Sequence, residues 1–168
     1  MDLYDEDIAS QGAQHKGDIL VLEIGSNGGW NSDYAELVAE YRAMIQHAGC
    51  ESYIIVGDTD DPGTSIGDLR QEAFEPGEGA GETDWERALR EAFGDHFVNM
   101  RVYLIEHGLA VTGLKPTAQD AELAAQGCVS PQLRHDWTHL NSYGYYAQAL
   151  AIYEKGTQLG YWGQQSAS

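Results

Sequence analysis

Basic residues are scarce in this chain of 168 residues. Nine lysines and arginines stand against 27 aspartates and glutamates, which gives a formal net charge of −18 at pH 7. Nucleic acids present closely spaced phosphates and are bound through basic surfaces, so this balance argues against a nucleic-acid partner. An acidic surface keeps a protein soluble and by itself identifies no ligand.

Cysteine and long apolar runs are also scarce. Cys50 and Cys128 are the two cysteines, and two cysteines make no disulfide framework. No apolar run approaches the roughly 20 residues of a membrane span, so we expect no membrane partner. Residues 1–7 lack the basic and apolar regions of a signal peptide. We therefore expect a cytoplasmic protein, or a secreted one if an upstream signal peptide has been lost.

Apolar segments alternate with helical patterns along the chain. Residues 18–24 (Asp-Ile-Leu-Val-Leu-Glu-Ile) predict a buried strand, and residues 52–56 and 96–100 predict a second and a third. Helices are predicted over residues 33–48, 84–93, 101–107, 117–126 and 142–155, with a short helix near 68–74. This alternation predicts an α/β fold in which right-handed crossovers build a parallel sheet covered by helices.

Local signals mark several helix ends. Ser32 is predicted to cap the first helix, Thr83-x-x-Glu86 forms a capping box for the second, and Asn141 caps the last. Gly108 is predicted to end the helix that begins near residue 101. The apolar stripe of the last helix is expected to comprise Tyr146, Leu150 and Tyr153.

The most informative stretch of the chain is Asp136-Trp137-Thr138-His139. A carboxylate that accepts a hydrogen bond from one imidazole nitrogen fixes the tautomer, and it leaves the other nitrogen free to deprotonate an attacking hydroxyl. His139 and Asp136 are therefore candidates for the general base of a hydrolase and its orienting acid. The alternative is an Asp that caps the last helix beside a packed imidazole.

A second candidate block follows the first predicted strand, which runs directly into Gly25-Ser26-Asn27-Gly28-Gly29. A carboxamide at the carboxyl end of such a strand lies where open α/β sheets bind their ligands. Asn27 is a candidate donor to the oxyanion of a tetrahedral intermediate, and Gly25 permits a close approach of the backbone. The alternative is that Asn27 is a turn residue.

Together these blocks resemble the SGNH (GDSL-type) hydrolases over residues 18–162. The residues that carry the resemblance are Gly25-x-Asn27, Asp136-x-x-His139 and the continuation Leu140-Asn141-x-x-Gly144-Tyr145. The resemblance implies a three-layer α/β/α, flavodoxin-like fold with a parallel sheet. It also implies a serine nucleophile, an acyl-enzyme and hydrolysis of a carboxylic ester with no cofactor. Because many relatives deacetylate carbohydrates, the implied substrate is a small-molecule or carbohydrate ester.

One block of the family is not found in this chain. The family's nucleophile lies in a Gly-Asp-Ser block on the first strand, ahead of the G-x-N block, and no Gly-Asp-Ser occurs here. The 24 residues before Gly25 are too few for a strand, a crossover helix and a second strand. We therefore expect a partial SGNH domain over residues 18–162 that lacks its first strand or strands, with a loose lead-in over 1–17 and a tail over 163–168.

Two other patterns are incomplete. Gly63-Thr64-Ser65-Ile66-Gly67 fits a nucleophile elbow, but residues 58–62 separate it from the strand that it would have to follow directly. The acidic stretch from residue 58 begins like a calcium-binding loop, yet Pro62 stands at a ligand position and Leu69 replaces the closing glutamate. We expect a solvated loop here and no metal site.

Tryptophans supply a candidate ligand surface, since aromatic rings stack on the faces of sugars. Trp30, Trp137 and Trp162 are the candidates for it, and ordinary core or rim packing is the alternative. The alternative to an enzyme is a non-catalytic fragment or carbohydrate-binding module that retains half of an esterase site.

A missing nucleophile strand would expose an edge of the sheet. In the family fold that strand lies beside the strand that ends at the G-x-N block. Without it, residues 19–24 would present unpaired backbone groups, and this segment has no proline or lysine to discourage pairing. We therefore expect the chain either to form a dimer through this strand edge or to be poorly soluble.

Overall fold

The computed structural model describes residues 17–24, 33–62, 74–75, 81–136 and 138–162. Their strands are β1 (Ile19–Leu22), β2 (Ser52–Val56), β3 (Phe74–Glu75), β4 (Glu82–Thr83) and β5 (Phe97–Val98). Their α-helices are α1 (Tyr34–Ala48), α2 (Asp84–Phe93), α3 (Met100–Tyr103), α4 (Leu109–Thr112), α5 (Ala118–Ala124) and α6 (Ser142–Gln158). Two 3₁₀ turns cover Gly94–His96 and Pro131–Leu133, and a π-helical segment (Leu104–Gly108) joins α3 to α4. No helix in this part of the chain is long and apolar enough to cross a membrane.

A parallel sheet of three strands, in the order β1-β2-β5, forms the centre of the molecule. Ile19 is in register with Ser52, and Ile55 is in register with Phe97. β3 and β4 form a separate antiparallel pair. The predicted mixed α/β architecture with a parallel sheet is therefore confirmed. The third strand is shorter than predicted because a 3₁₀ turn ends at His96 and Asn99 caps α3.

The two faces of β2 pack against different sets of side chains. Ile54 and Val56 lie in a cluster with residues of α3, the π-helical segment and α6, whereas Ile55 packs with residues of α1 and α2. All three side chains are buried, which explains why β2 is apolar without alternation. β2 is thus the most firmly packed strand of the sheet.

β1 differs from β2 although its four residues are equally apolar. None of them is buried, and Val21 is 41% exposed. Among the described residues, β1 pairs with β2 alone. Within the described ranges, the other edge of β1 therefore has no paired strand.

Two predicted helix ends are wrong. Asp33, not Ser32, is the N-cap of α1, since its Oδ1 accepts from the N–H groups of Ala35 and Glu36. Gly108 does not end a helix, because the chain continues through it into α4. A Cβ at Gly108 would collide with the Leu133 side chain, so this glycine serves close packing. The capping box at Thr83 is confirmed, and the short helix predicted near 68–74 lies largely outside the described residues, with 74–75 in β3.

The predicted apolar stripe of α6 is also wrong. Tyr146 and Tyr153 are exposed, and the buried positions of this helix are Gly144, Ala147, Gln148, Ala151 and Gly156. The helix lies so close to its neighbours that a Cβ at Gly144 would collide with the Leu133 carbonyl. Close approach selects small residues for the inner face and leaves the tyrosines outside.

The edge of β1 that faces away from β2 pairs with no strand in the described part of the chain, and it leads to a first prediction. We propose that two copies of the chain pair through this edge, because an apolar strand edge is a template for another strand. Val21→Lys should weaken this association, since a lysine on the edge must be desolvated when a second strand pairs. Light scattering on freshly purified protein measures it. Ala35→Lys, on the exposed face of α1, makes the same charge change as a control. A monomer at every concentration would contradict the proposal.

Candidate functional site

The predicted Asp-His pair lies in a short closed loop, residues 134–140, here called the His loop. Arg134 and Leu140 form an antiparallel bridge at its base. The His135 N–H donates to the His139 carbonyl at 2.8 Å. Asn141 then caps α6 as predicted, with its side-chain oxygen accepting from the backbone of residues 143 and 144. The loop is thus fixed by a bridge on one side and a helix on the other.

Asp136 and His139 are in direct contact. The imidazole Nδ1 lies 2.9 Å from both carboxylate oxygens of Asp136. Because an ionised carboxylate can only accept, Nδ1 is the donor, and in the neutral imidazole the lone pair then lies on Nε2. The His139 side chain is 67% exposed and that of Asp136 40%. The two side chains are therefore in direct contact, and both are accessible to solvent.

The backbone of the same loop holds Asp136 in its charged form. Its Oδ1 accepts from the N–H of His139 at 2.8 Å and from the N–H of Thr138 at 3.0 Å. These two bonds, followed by the bond from the imidazole, lower the pKa of Asp136 to about 2. The carboxylate is consequently ionised over the whole range in which an imidazole exchanges its proton.

The His loop is attached to the loop that follows β2, residues 57–62, here called the acidic loop. The Thr138 hydroxyl donates to Asp60 Oδ1 at 2.7 Å. The Arg134 guanidinium donates to Asp61 Oδ1 at 2.6 Å and to the Thr59 carbonyl at 2.5 Å. Because the acidic loop begins where β2 ends, these bonds hold the Asp-His pair at the carboxyl edge of the parallel sheet.

The end of β1 lies at this same edge, since β1 is parallel to β2 and Leu22 is in register with Ile55. Glu23 is an exposed residue, yet desolvation of its carboxyl group raises its pKa. The nearby charge of Asp58 raises this pKa further, and a hydrogen bond from Gln148 lowers it. Burial raises the pKa of Tyr41 to about 12, and Ile24 packs against the cluster that contains this tyrosine. The two residues that precede the G-x-N block are thus in contact with the helices that cover the edge.

A buried ion pair lies beneath the acidic loop. Arg101 binds Glu86 through Nε at 2.6 Å and through Nη2 at 2.8 Å, and both residues are almost completely buried. Nη1 of Arg101 also donates to the Gly127 carbonyl at 2.7 Å. Two residues further on, the Val129 N–H donates to Asp61 at 3.1 Å. The ion pair therefore supports the segment that leads from α5 into the His loop.

The structure places two of the six residues predicted for the site, His139 and Asp136. The other four, Gly25, Asn27, Trp30 and Trp137, lie outside the described residues, as does Ser65 of the nucleophile-elbow pattern. Trp162 lies at the far end of α6, where it stacks on Tyr153. Within the described ranges, no group of three or more His, Cys, Asp and Glu side chains could hold a metal ion.

Sequence reasoning missed the role of the acidic loop, which it interpreted as a solvated loop. Asp60 and Thr59 are buried, and Asp60 and Asp61 bind the His loop. The sequence signal is the position of these residues in the loop that follows β2. Short polar side chains near the end of a buried strand can bind another loop that crosses the edge of the sheet.

The hydrogen bonds to Asp136 lead to a second prediction. In carbon-13 NMR, its carboxyl group should titrate with a midpoint at about 2. Because the folded-state pKa is lowered, the stabilisation that it provides is complete above the unfolded pKa of roughly 3.9 and is lost as the pH falls through the folded value. In His139→Ala the two backbone donors remain, so the midpoint should rise but stay below the ordinary value. An ordinary midpoint in the unsubstituted protein would contradict the geometry.

Comparison with known proteins yields no relative. No family model, no curated protein and no solved structure matches the chain. Its function must therefore be argued from the Asp136–His139 pair and its surroundings.

Proposed function

We propose that this chain carries the general-base half of a serine ester hydrolase of the SGNH type. The observation that carries the proposal is the ionised Asp136 carboxylate, 2.9 Å from Nδ1 of an exposed imidazole at the carboxyl edge of a parallel sheet. Asp136 holds the tautomer and stabilises the imidazolium that forms when Nε2 of His139 accepts a proton.

The topology supports the rest of the proposed site. The sheet order β1-β2-β5 follows the chain, and β1 ends at the edge where the His loop is held, three residues before the G-x-N block in the sequence. In the proposed three-layer α/β/α fold, Asn27 donates its amide to the oxyanion and Gly25 lets the substrate approach the backbone. We propose that a strand bearing the nucleophile pairs with the edge of β1 that faces away from β2, which has no partner among the described strands.

The proposed reaction is acyl transfer from an alcohol to water. A serine Oγ attacks the ester carbonyl carbon while His139 takes its proton, and the imidazolium returns that proton to the departing alcohol. Water then attacks the acyl-serine, with His139 again as the base. Because no Gly-Asp-Ser occurs in the chain, we propose that the serine comes from outside these 168 residues. The proposed substrate is a carboxylic ester, such as a carbohydrate O-acetyl ester, and no metal or organic cofactor is needed.

A second candidate function is a carbohydrate-binding fragment that retains half of the esterase site. The exposed tyrosines of α6 favour it, together with the lack of a Gly-Asp-Ser block. The two candidates differ in whether a nucleophile joins His139.

The enzyme hypothesis leads to a third prediction, measured on the longest translated product of the gene with p-nitrophenyl acetate. His139→Ala should abolish hydrolysis because no other group accepts the serine proton. Asn27→Ala should lower kcat by roughly 10²–10³, the usual effect of deleting an oxyanion donor. His135→Ala is the matched control, since this exposed histidine of the same loop contributes its backbone N–H and should leave the rate unchanged. An unchanged rate in His139→Ala would exclude the proposed base.

A fourth prediction concerns the nucleophile. The 168-residue chain alone should not react with a fluorophosphonate probe, because a base and an oxyanion donor without a serine retain only weak activation of water. Mass spectrometry of the purified chain measures the modification. Stoichiometric labelling that disappears in Ser65→Ala would show instead that the G-x-S-x-G pattern supplies the nucleophile.

A further inference from the structure

Tyrosines project into solvent along one side of α6. Tyr143, Tyr146 and Tyr153 are 49%, 55% and 60% exposed. At 3.6 residues per turn they fall in one stripe with the half-buried Leu150 between them. We call these residues, together with Trp162, the tyrosine face. A large exposed aromatic surface of this kind usually marks a binding site.

Trp162 gives one end of the tyrosine face a fixed geometry. Its ring lies parallel to that of Tyr153, with centroids 5.9 Å apart and an interplanar angle of 6°. Its Nε1 donates to the Tyr153 carbonyl at 2.7 Å. The indole also lies directly over Gly156, where a Cβ would collide with it. Since the ring is already held in place, a ligand that binds it loses little side-chain entropy.

The tyrosine face carries almost no charge on a strongly acidic protein. Among the exposed positions of α6, Glu154 is the one charged residue, although the whole chain carries −18. The net negative charge of the protein would repel a polyanion. A polycation would meet no row of carboxylates among the side chains of the tyrosine face. The exposed side chains are aromatic rings with hydroxyl groups, which combine an apolar surface with a polar tip. The complementary ligand is therefore neutral, with apolar faces and many hydroxyl groups.

We propose that the tyrosine face binds a neutral polysaccharide chain, whose C–H faces stack on the rings while its hydroxyl groups bind tyrosine hydroxyls and water. Tyr146 and Tyr153 are seven residues apart, roughly 10.5 Å along the helix at 1.5 Å per residue, so they contact separate sugar units of an extended chain. Tyr143 lies just beyond the cap Asn141. A polysaccharide along this face thus runs towards the His loop.

This inference deepens the proposed function, because a polysaccharide that runs along α6 presents its ester groups to His139. It nevertheless concerns binding, which needs neither a nucleophile nor the Asp-His pair. If the chain binds polysaccharide but has no esterase activity in any form, the binding proposal stands and the enzyme proposal fails. If the chain is part of an active esterase but does not bind polysaccharide, the enzyme proposal stands and the binding proposal fails.

Native gel electrophoresis in gels that contain a polysaccharide suits the test, since the acidic chain migrates readily. The probes are hydroxyethylcellulose, arabinoxylan and galactomannan, with polygalacturonate as the charged comparison. We expect retardation by at least one neutral polymer and none by polygalacturonate. Tyr146→Ala and Tyr153→Ala should each weaken the binding by roughly tenfold, as expected when one stacking ring is removed.

Tyr145→Ala is the matched control. Tyr145 is 55% exposed, as Tyr146 is, and lies on the same helix, but one residue of α-helix turns it about 100° away from the tyrosine face. Its removal should leave the retardation unchanged. Equal losses in Tyr145→Ala and Tyr146→Ala would overturn the proposal, as would the absence of retardation by all three neutral polymers. Self-association that Tyr153→Ala abolishes would show that the face is an interface between copies of the chain.

Gly156→Ala tests the platform without removing any aromatic ring. The substitution favours the helix but displaces the indole of Trp162, because the new Cβ would occupy its position. Binding should therefore weaken as in Trp162→Ala, while far-ultraviolet circular dichroism remains that of the folded chain. Undiminished binding in both variants would show that Trp162 does not contribute to the binding site.

Discussion

The hydrogen bonds between the His loop and the acidic loop are the constraint on which the candidate site depends. The Asp-His contact is local, since Asp136 and His139 are three positions apart in the sequence. The position of the pair on the molecule depends on contacts with a distant part of the chain. Arg134 and Thr138 determine that position by binding three successive residues of the acidic loop that follows β2, Thr59, Asp60 and Asp61. Because Asp60 is buried, deletion of Thr138 Oγ1 would leave a desolvated carboxylate with fewer donors, which is costly. These bonds therefore tie the Asp-His pair to the end of β2.

The Arg101–Glu86 pair extends this constraint to the other side of the sheet edge. Removing two charges from water is expensive, and the cost is offset here by paired hydrogen bonds and by the carbonyls of residues 81 and 127. Glu86 also accepts from the Thr83 N–H, which starts α2. One guanidinium thus joins the start of a helix to the segment that enters the His loop. A lysine would not replace it, because an ammonium cannot donate to a carboxylate and two carbonyls in this planar arrangement.

The parts of the structure that the sequence predicts well are those with a local cause. The Asp136–His139 contact follows from spacing, the sheet edge from strand order, and the caps of α2 and α6 from their first-turn residues. The failures at Gly108 and Tyr146 have tertiary causes. Gly108 has the composition of a helix stop, but its neighbour Leu133 requires a residue without a side chain. Tyr146 is counted as apolar in a sequence pattern, yet the close contact between α6 and the segment at Leu133 admits only small residues on the inner face of the helix. Tyrosine therefore lies on the exposed face. Neither neighbour is visible in the local sequence.

The direction of the strands decides how a partner at the edge of β1 that faces away from β2 would lie relative to the Asp-His pair. In a two-fold symmetric pair, two β1 strands meet antiparallel, so the carboxyl edges of the two sheets lie at opposite ends of the joint sheet. Such a dimer covers Val21 but brings no residue of one copy beside His139 of the other. A strand added parallel to β1 would end at the same edge as the His loop and would place its last residues near Nε2. In the proposed enzyme, homodimerisation and completion of the active site would therefore compete for one edge of β1, and only a parallel partner strand would serve catalysis.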